Sequence, residues 1–188
     1  MIEVIVGTNR KGLRSLEVAR LVLDLYKKLG AAAQILELSE IGLESLTADH
    51  YGSEAKPSKV INGVARINQA EGLVIICPEY NGSYPGALKY FIDQWTYPES
   101  FEHRPVCFIG LGGRFGGLRP VEHLQQVFGY RNAFIFPDRV FIQNVWSTLK
   151  DGQLTDATLQ NLLENQAQGF CRFIKALRSE NLSGGLTR

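Results

Sequence analysis

Short apolar segments alternate along the chain with longer segments in which apolar residues recur every three or four positions. A short run of apolar and β-branched residues between turn residues is typical of a buried strand. Five strands are predicted on this basis, at residues 3–7, 33–38, 72–77, 106–111 and 133–136. The stretch 139–146 either extends the fifth strand or forms a separate piece at the edge of the sheet.

The segments between the strands carry apolar residues at helical spacing. Helices are predicted over residues 15–29, from 57 through 67, and over 85–95, 120–128 and 156–177. Residues 39–56 are mixed and polar, and a long loop over the top of the domain is predicted there. Strands that alternate with helices favour an α/β fold in which a parallel sheet is covered on both faces.

A sheet of this kind binds ligands beyond the carboxyl ends of its strands, where the direction of winding reverses. The loops after strands one, three and four leave that edge, and their sequences are the most unusual in the chain. We refer to them as loop one (residues 7–15), loop three (residues 77–86) and loop four (residues 112–117). A functional site is expected where these loops meet.

The composition of the chain narrows its possible partners. The chain has 188 residues, a formal net charge of +1 and 45% hydrophobic residues, which is ordinary for one globular domain. We expect a single domain over residues 1–178 and a flexible tail over residues 179–188. The nearly neutral charge argues against nucleic acid or an anionic membrane as a partner, because either would favour a basic surface.

The cysteines and the start of the chain favour a cytoplasmic protein. Cys77, Cys107 and Cys171 show neither metal-ligand nor CxxC spacing, and buried free thiols are expected. No apolar run is long enough to cross a bilayer, and the first strand follows Met1 without the apolar region of a signal peptide. No metal site is predicted.

Loop one reads GTNRKGLRS and has the length and glycine placement of a phosphate-binding loop. The Lys-Ser/Thr pair that should follow the second glycine is Leu13-Arg14 here, which argues against ATP or GTP hydrolysis. The hydroxyls of Thr8 and Ser15, the cation of Arg10 and the helix N-terminus behind them suit one terminal phosphate. The alternative is a helix capped by Ser15, with the arginines in solvent.

Loop three reads CPEYNGSYPG, and Asn81-Gly82 predicts a turn with positive φ at Gly82. Such a loop offers a flat aromatic ligand a close approach to the backbone, with the tyrosines at its rim. The alternative is a rigid turn whose tyrosines pack on a neighbouring segment.

Loop four carries four glycines around Arg114-Phe115. It does not match a dinucleotide fingerprint, because its third glycine comes one residue late and the loop follows the wrong strand. A flexible wall against which a ring can lie is the better interpretation.

Other classes of site fit the chain poorly. A receiver domain needs acidic residues where strand one ends, and a serine hydrolase needs a Gly-x-Ser-x-Gly elbow, which loop three lacks. Ser83 is therefore predicted to be a turn or capping residue. The histidines, His50, His103 and His123, are widely separated, and surface or structural roles are expected for them.

The segments GTNRKGLRS and PEYNGSYPGALKYFID together closely resemble the NADPH-dependent FMN reductases, over residues 2–138. The resemblance implies a flavodoxin-like three-layer sandwich with a five-stranded parallel sheet in the order 2-1-3-4-5. It also implies that Thr8, Arg10 and Ser15 hold the FMN phosphate. Leu13 belongs to the same phosphate loop and stands where the family usually has serine, so one phosphate hydrogen bond is missing.

The resemblance places the isoalloxazine ring between loops three and four. The residues implied to edge the ring are Pro78, Glu79, Tyr80 and Asn81 on one side and Gly112, Gly113 and Arg114 on the other. The run Lys89 to Trp95 departs from the family pattern by added bulk and one extra residue. This departure lies near the places where family dimers often meet and where substrate enters.

The expected function is an FMN-dependent oxidoreductase. Hydride from NADPH or NADH would pass through FMN to a small acceptor such as a quinone, an azo or nitro compound, or free flavin. The alternatives are a flavodoxin-type electron carrier, which the balanced charge disfavours, and a family member that binds no flavin. A homodimer or homotetramer is expected, because helix three ends in an aromatic run from Trp95 to Phe101.

Overall fold

The structure is a computed structural model, and it describes residues 1–12, 14–47 and 56–184. Strands and helices alternate along most of this range. In chain order the elements are β1 (Ile2–Val6), α1 (Arg14–Lys28), β2 (Ala33–Glu37), α2 (Leu38–Ile41), α3 (Leu43–Thr47), α4 (Ser58–Gln69), β3 (Gly72–Pro78), α5 (Gly86–Asp93), β4 (Pro105–Leu111), α6 (Leu118–Tyr130), β5 (Phe134–Ile135), β6 (Val140–Ile142), α7 (Val145–Thr148), β7 (Leu149–Lys150), β8 (Gln153–Leu154) and α8 (Ala157–Ser179).

The main sheet is parallel and has the order β2-β1-β3-β4-β5, as predicted. The segment 139–146 supplies β6, which also pairs with β4 in parallel. Since β5 pairs with Pro105 and Val106 and β6 pairs with Ile109 through Leu111, β6 continues the line of β5 along the same neighbour. A separate two-stranded antiparallel ribbon, β7-β8, connects α7 to α8.

Helices cover both faces of the main sheet. Ile5 and Ile75 point to one face and pack with apolar residues of α4, α5 and α6. Val4 and Val74 point to the other face, where they pack with apolar residues of α1 and α8. Because successive side chains of a strand point to opposite faces, strands buried on both sides are apolar throughout. The three-layer sandwich is therefore confirmed.

The predicted loop over residues 39–56 is wrong for its first part. Two short helices, α2 and α3, occupy it as far as they are described, and Ile41 and Leu46 are buried in the core. Helices of four and five residues are too short to show a helical period in the sequence. The rest of that segment, residues 48–55, lies outside the described residues.

The aromatic run after α5 is packed inward rather than exposed. Trp95 and Phe101 are buried, and their rings lie 5.8 and 5.9 Å from the ring of Phe128 on α6. Among the aromatic side chains of this run only Tyr97 is exposed, with 52% of its surface accessible to solvent. The expectation that Trp95 and Phe101 form an exposed patch is therefore wrong, because α6 supplies an apolar partner that the local sequence does not reveal.

Arg104 is buried without a carboxylate partner among the described residues. Its guanidinium donates to the backbone carbonyls of Ala70, Asn68 and Glu99, and so joins the end of α4 to the segment after α5. Burial lowers the pKa of Arg104 to about 10, so the side chain remains charged at neutral pH. Backbone carbonyls thus replace the water that the charge has lost.

One hydrogen bond to a charged group contributes about 1.5–3 kcal/mol. The substitution Arg104→Ala is expected to lower the free energy of unfolding by no less than this contribution. Three carbonyls would lose their donor at once. Arg139→Ala is the matched control, because that exposed arginine donates to the side chain of Gln125 and to no buried carbonyl among the described residues. Surface changes of this kind usually stay within about 0.5 kcal/mol. Denaturation curves in guanidinium chloride measure the free energy of unfolding of both variants. Equal stability of the two variants would contradict the role given to Arg104.

Candidate functional site

Loops one, three and four emerge side by side because their strands are neighbours in the sheet and end within two residues of one another. Val6 pairs with Ile76, and Ile76 pairs with Ile109. Directly after β1 the chain stays beside β3, since the Gly7 N–H donates to the Ile76 carbonyl at 2.9 Å. A Cβ on Gly7 would lie 2.7 Å from that carbonyl oxygen, so this close approach requires glycine.

Tyr80 connects loop three to loop one. Its hydroxyl lies 2.7 Å from Thr8 Oγ1, and the guanidinium carbon of Arg10 lies 4.3 Å from the centre of its ring. The backbone N–H of Arg10 donates to the same Thr8 oxygen at 3.3 Å. Of the predicted site residues, these three are therefore brought into direct contact, although Thr8 and Tyr80 are 72 positions apart in sequence.

The hydrogen bonds around Thr8 leave it able to act as a donor. A hydroxyl has one proton and two lone pairs, and the Arg10 N–H occupies one lone pair. When Tyr80 donates to the second lone pair, the Thr8 proton takes part in neither of these two hydrogen bonds. The side chain is fully buried, so such a donor is already removed from bulk water.

The N-terminus of α1 supplies the remainder of loop one. Ser15 is buried and is the second residue of α1, so the interpretation of Ser15 as the helix cap is wrong. Arg14 is not free in solvent either, since it pairs with Glu17 at 3.1 Å. Arg10 is exposed, and Leu13, also predicted for this site, lies outside the described residues.

The centre of loop three, from Tyr80 to Ser83, is a hydrogen-bonded turn with two central residues. The Tyr80 N–H donates to the Ser83 carbonyl at 2.8 Å, and the Ser83 N–H donates back at 3.1 Å. Asn81 and Gly82 have φ values of 52° and 78°, so the positive φ predicted for Gly82 is present at both central residues. This is the pattern of a type I′ turn, for which Asn-Gly is the preferred pair.

Helix α6 supports this turn from outside. Ser83 Oγ lies 2.9 Å from Nδ1 of His123, and the ring of Tyr84 meets the His123 ring edge-on at 6.4 Å. A Cβ on Gly82 would lie 3.5 Å from Arg119 Nη1. Sequence reasoning did not place Arg119 or His123 beside loop three, since no local pattern links positions so far apart. Among the described residues no carboxylate is bonded to His123, so Ser83 remains a turn residue.

Loop four folds back onto β4, and its glycines allow the close contact. A Cβ on Gly110 would lie 2.7 Å from the carbonyl oxygens of Gly116 and Gly117, the latter with a φ of 82°. The Gly112 N–H donates to the Ile142 carbonyl at 3.2 Å. The expected flexible wall is therefore a loop held by tight packing and backbone hydrogen bonds.

Loops three and four also meet each other. The Glu79 N–H donates to the Leu111 carbonyl at 3.0 Å, and a Cβ on Gly112 would lie 3.2 Å from Glu79 Cβ. Pro78 is buried, whereas Asn81 and Arg114 are exposed at the outer rim. Burial, with a smaller contribution from Glu79, raises the pKa of the Cys77 thiol well above its usual range, so a thiolate is not available here.

Comparison with known families identifies the chain. Residues 1–147 match the family described as NADPH-dependent FMN reductase. The chain belongs to this family. The predicted resemblance is confirmed, and the predicted enzyme class, with FMN as cofactor and NAD(P)H as electron donor, is that of the family.

Individual relatives agree with the family assignment. The chain is 30% identical over 181 residues to a quinone reductase of Escherichia coli K12, covering 93% of this chain and 95% of the relative. It is 29% identical over 149 residues to an NAD(P)H-dependent FMN reductase of Pseudomonas aeruginosa, covering 76% and 80%. A flavoenzyme NAD(P)H:(acceptor) oxidoreductase from Paracoccus denitrificans has a TM-score of 0.75 at 21% identity, covering 93% and 97%, and this likeness supports the fold. A flavodoxin-type carrier is not favoured.

None of the helices in the described ranges is both long and apolar enough to span a membrane.

Gly82→Val is expected to weaken FMN binding at least about tenfold, or about 1.4 kcal/mol. The added side chain would meet Arg119, which lies 3.5 Å from the position of a Cβ, and would alter the turn on which the flavin edge is predicted to rest. Positive φ also makes a β-carbon cost about 1–2 kcal/mol of stability.

Gly152→Val separates these two effects. Gly152 has a φ of 72° in the turn between β7 and β8, and a Cβ there would have no neighbour within 4 Å. The Gly152→Val variant should therefore lose about as much stability as Gly82→Val but keep the FMN affinity of the wild type. Melting temperatures and FMN titrations of both variants provide the measurement, and an unchanged FMN affinity in Gly82→Val would make loop three a structural turn only.

Proposed function

We propose that this protein is an NAD(P)H-dependent reductase of small planar acceptors, of the quinone, azo or nitro class or free flavin, and that it acts in the cytoplasm. The contact of Thr8 and Arg10 with Tyr80 carries the proposal, because it joins a phosphate-type loop to a ring-edge loop in one site. The quinone reductase similar to this chain along nearly its full length supports the acceptor class.

The residues of loop one fit the phosphate of FMN. Thr8 presents a buried hydroxyl, Ser15 lies in the first turn of α1, and the backbone N–H groups of that turn favour an anion. The Arg10 guanidinium can add a charge-assisted hydrogen bond, since among the described residues it has no carboxylate partner. These groups would hold the phosphate end and so fix the distance from loop one to the ring.

The residues of loops three and four fit the ring. Loop three presents the backbone of Asn81 and Gly82 and the ring of Tyr80, and loop four presents the backbone of Gly112 and Gly113. Both loops are held by backbone hydrogen bonds, so the surfaces that would face a planar ring are already formed.

The bound flavin would supply the redox chemistry, by accepting hydride from the nicotinamide and delivering electrons to the acceptor. The residues of the protein would bind and orient the flavin. Its phosphate would be held by Thr8, Arg10 and Ser15, and its ring edge by Tyr80 through Gly82. Glu79 and Gly112 lie where the two ring-facing loops touch. No side-chain nucleophile is needed, which agrees with a Cys77 thiol kept protonated by burial.

Titration with FMN tests this function. The visible bands of FMN should shift and its fluorescence should fall, and the loaded protein should oxidise NADPH when a quinone is present. A spectrum identical to that of free FMN at saturating protein concentration would refute the proposed enzyme and favour a family member that binds no flavin. Flavin binding without acceptor-dependent NAD(P)H oxidation would instead favour an electron carrier.

Arg10→Ala should weaken FMN binding by about 1.5–3 kcal/mol, the worth of one charge-assisted hydrogen bond. Riboflavin, which lacks the phosphate, should be affected far less. Arg20→Ala on the exposed face of α1 is the matched control, because it removes the same charge outside loop one. Fluorescence titration of each variant with both flavins gives the comparison, and equal losses for FMN and riboflavin would place Arg10 elsewhere.

A homodimer or homotetramer is part of the same proposal. Tyr97 and Tyr130 are 52% and 81% exposed, and the Arg131 guanidinium lies 5.0 and 5.2 Å from the centres of their rings. Exposed aromatic groups around an arginine are typical of interfaces. Light scattering at micromolar concentration should give at least twice the mass of one chain, and Tyr130→Glu should lower it. A wild-type mass equal to that of one chain would refute the oligomer.

A further inference from the structure

A one-turn helix, α7, is hydrogen-bonded to loop four. The Asn144 N–H donates to the Gly113 carbonyl at 3.0 Å, and the Val145 N–H donates to the Gly112 carbonyl at 3.2 Å. Val145 is buried and anchors the turn to the core. Two of the residues predicted to face the flavin therefore hold α7 through their backbone.

The next residue, Trp146, keeps most of its surface in solvent. Its side chain is 61% exposed, although it is one of the two tryptophans of the chain and follows a buried valine. A Cβ on Gly113 would lie 3.3 Å from Trp146 Cη2, so the tip of the indole rests close to the Gly113 backbone. The ring is thus placed beside loop four by a short, hydrogen-bonded turn.

Loop four itself carries a second exposed aromatic ring. Phe115 is 48% exposed, and the Arg114 guanidinium lies 5.4 Å from the centre of its ring. Single exposed apolar side chains are ordinary on protein surfaces. Trp146 on α7 and Phe115 on loop four therefore place two exposed aromatic rings on hydrogen-bonded backbone beside the candidate site.

We propose that Trp146 is a specificity-determining residue that stacks planar aromatic electron acceptors against loop four. The proposal rests on the proposed function and adds the residue that selects aromatic ring compounds among its acceptors. Offset stacking on an indole needs only a flat π-system, so it selects aromatic acceptors without a hydrogen bond to any substituent.

The first test is binding of 1,4-naphthoquinone to the oxidised, FMN-loaded protein without NAD(P)H, measured by calorimetry. Trp146→Ala should weaken this binding about tenfold, because it loses both the buried area and the stacking of the indole. Trp146→Phe should keep most of the affinity. Leu162→Ala, which truncates an exposed apolar side chain on α8, should bind like wild type.

The second test is steady-state turnover of the same variants. Trp146→Ala should raise KM for naphthoquinone about tenfold, without an equal rise in KM for ferricyanide, which has no ring to stack, or for NADPH. Melting temperature and FMN affinity report whether the fold and the flavin site are intact.

Unchanged naphthoquinone binding in Trp146→Ala would overturn the proposal, and so would equal rises in KM for naphthoquinone, ferricyanide and NADPH. Failure of the proposed function has a different signature, since the wild-type protein would then oxidise no NADPH with any acceptor. If that inactive protein still binds FMN, the calorimetric comparison decides the role of Trp146; if it binds no FMN, that role is overturned together with the function.

Discussion

The parallel pairing of β1, β3 and β4 is the constraint on which the site depends. Their register aligns Val6 with Ile76 and Ile76 with Ile109, so three loops leave the same edge of the sheet within two residues of one another. The pairing is stable because apolar helix faces cover both sides of these strands. A shift of one residue would turn every buried side chain to the opposite face, so the positions of the loops and the packing of the core are determined together.

The contact of Tyr80 with Thr8 and Arg10 then converts neighbouring loops into one site. It combines a partly buried pair of hydroxyls with the Arg10 cation on an aromatic face, and the hydroxyl pair gains strength because Thr8 is removed from water. Loop three is a preferred Asn-Gly turn, and loop four is packed through its glycines. The site is therefore formed by backbone that is already ordered, as suits a protein that positions a cofactor and leaves the chemistry to it.

The sequence-based errors have a common physical origin. Trp95 and Phe101 were expected at the surface, but Phe128 on α6 covers them. Residues 39–47 were expected to form a loop, but α2 and α3 bury Ile41 and Leu46. Ser15 was a possible helix cap, but the helix begins one residue earlier. In each case the result depends on a partner distant in sequence or on an element too short to show a period.

The sequence by itself determined the α/β class, the order of its principal strands and helices, and the two loops that mark the family. These features depend on local period, turn chemistry and motif, which neighbouring residues carry. Only the tertiary structure decided that Tyr80 meets Thr8, that Arg119 and His123 support the turn at Gly82, and that Trp146 stands beside Gly113. Those contacts join positions far apart in the chain, and the packing of the sheet and its helices brings them together.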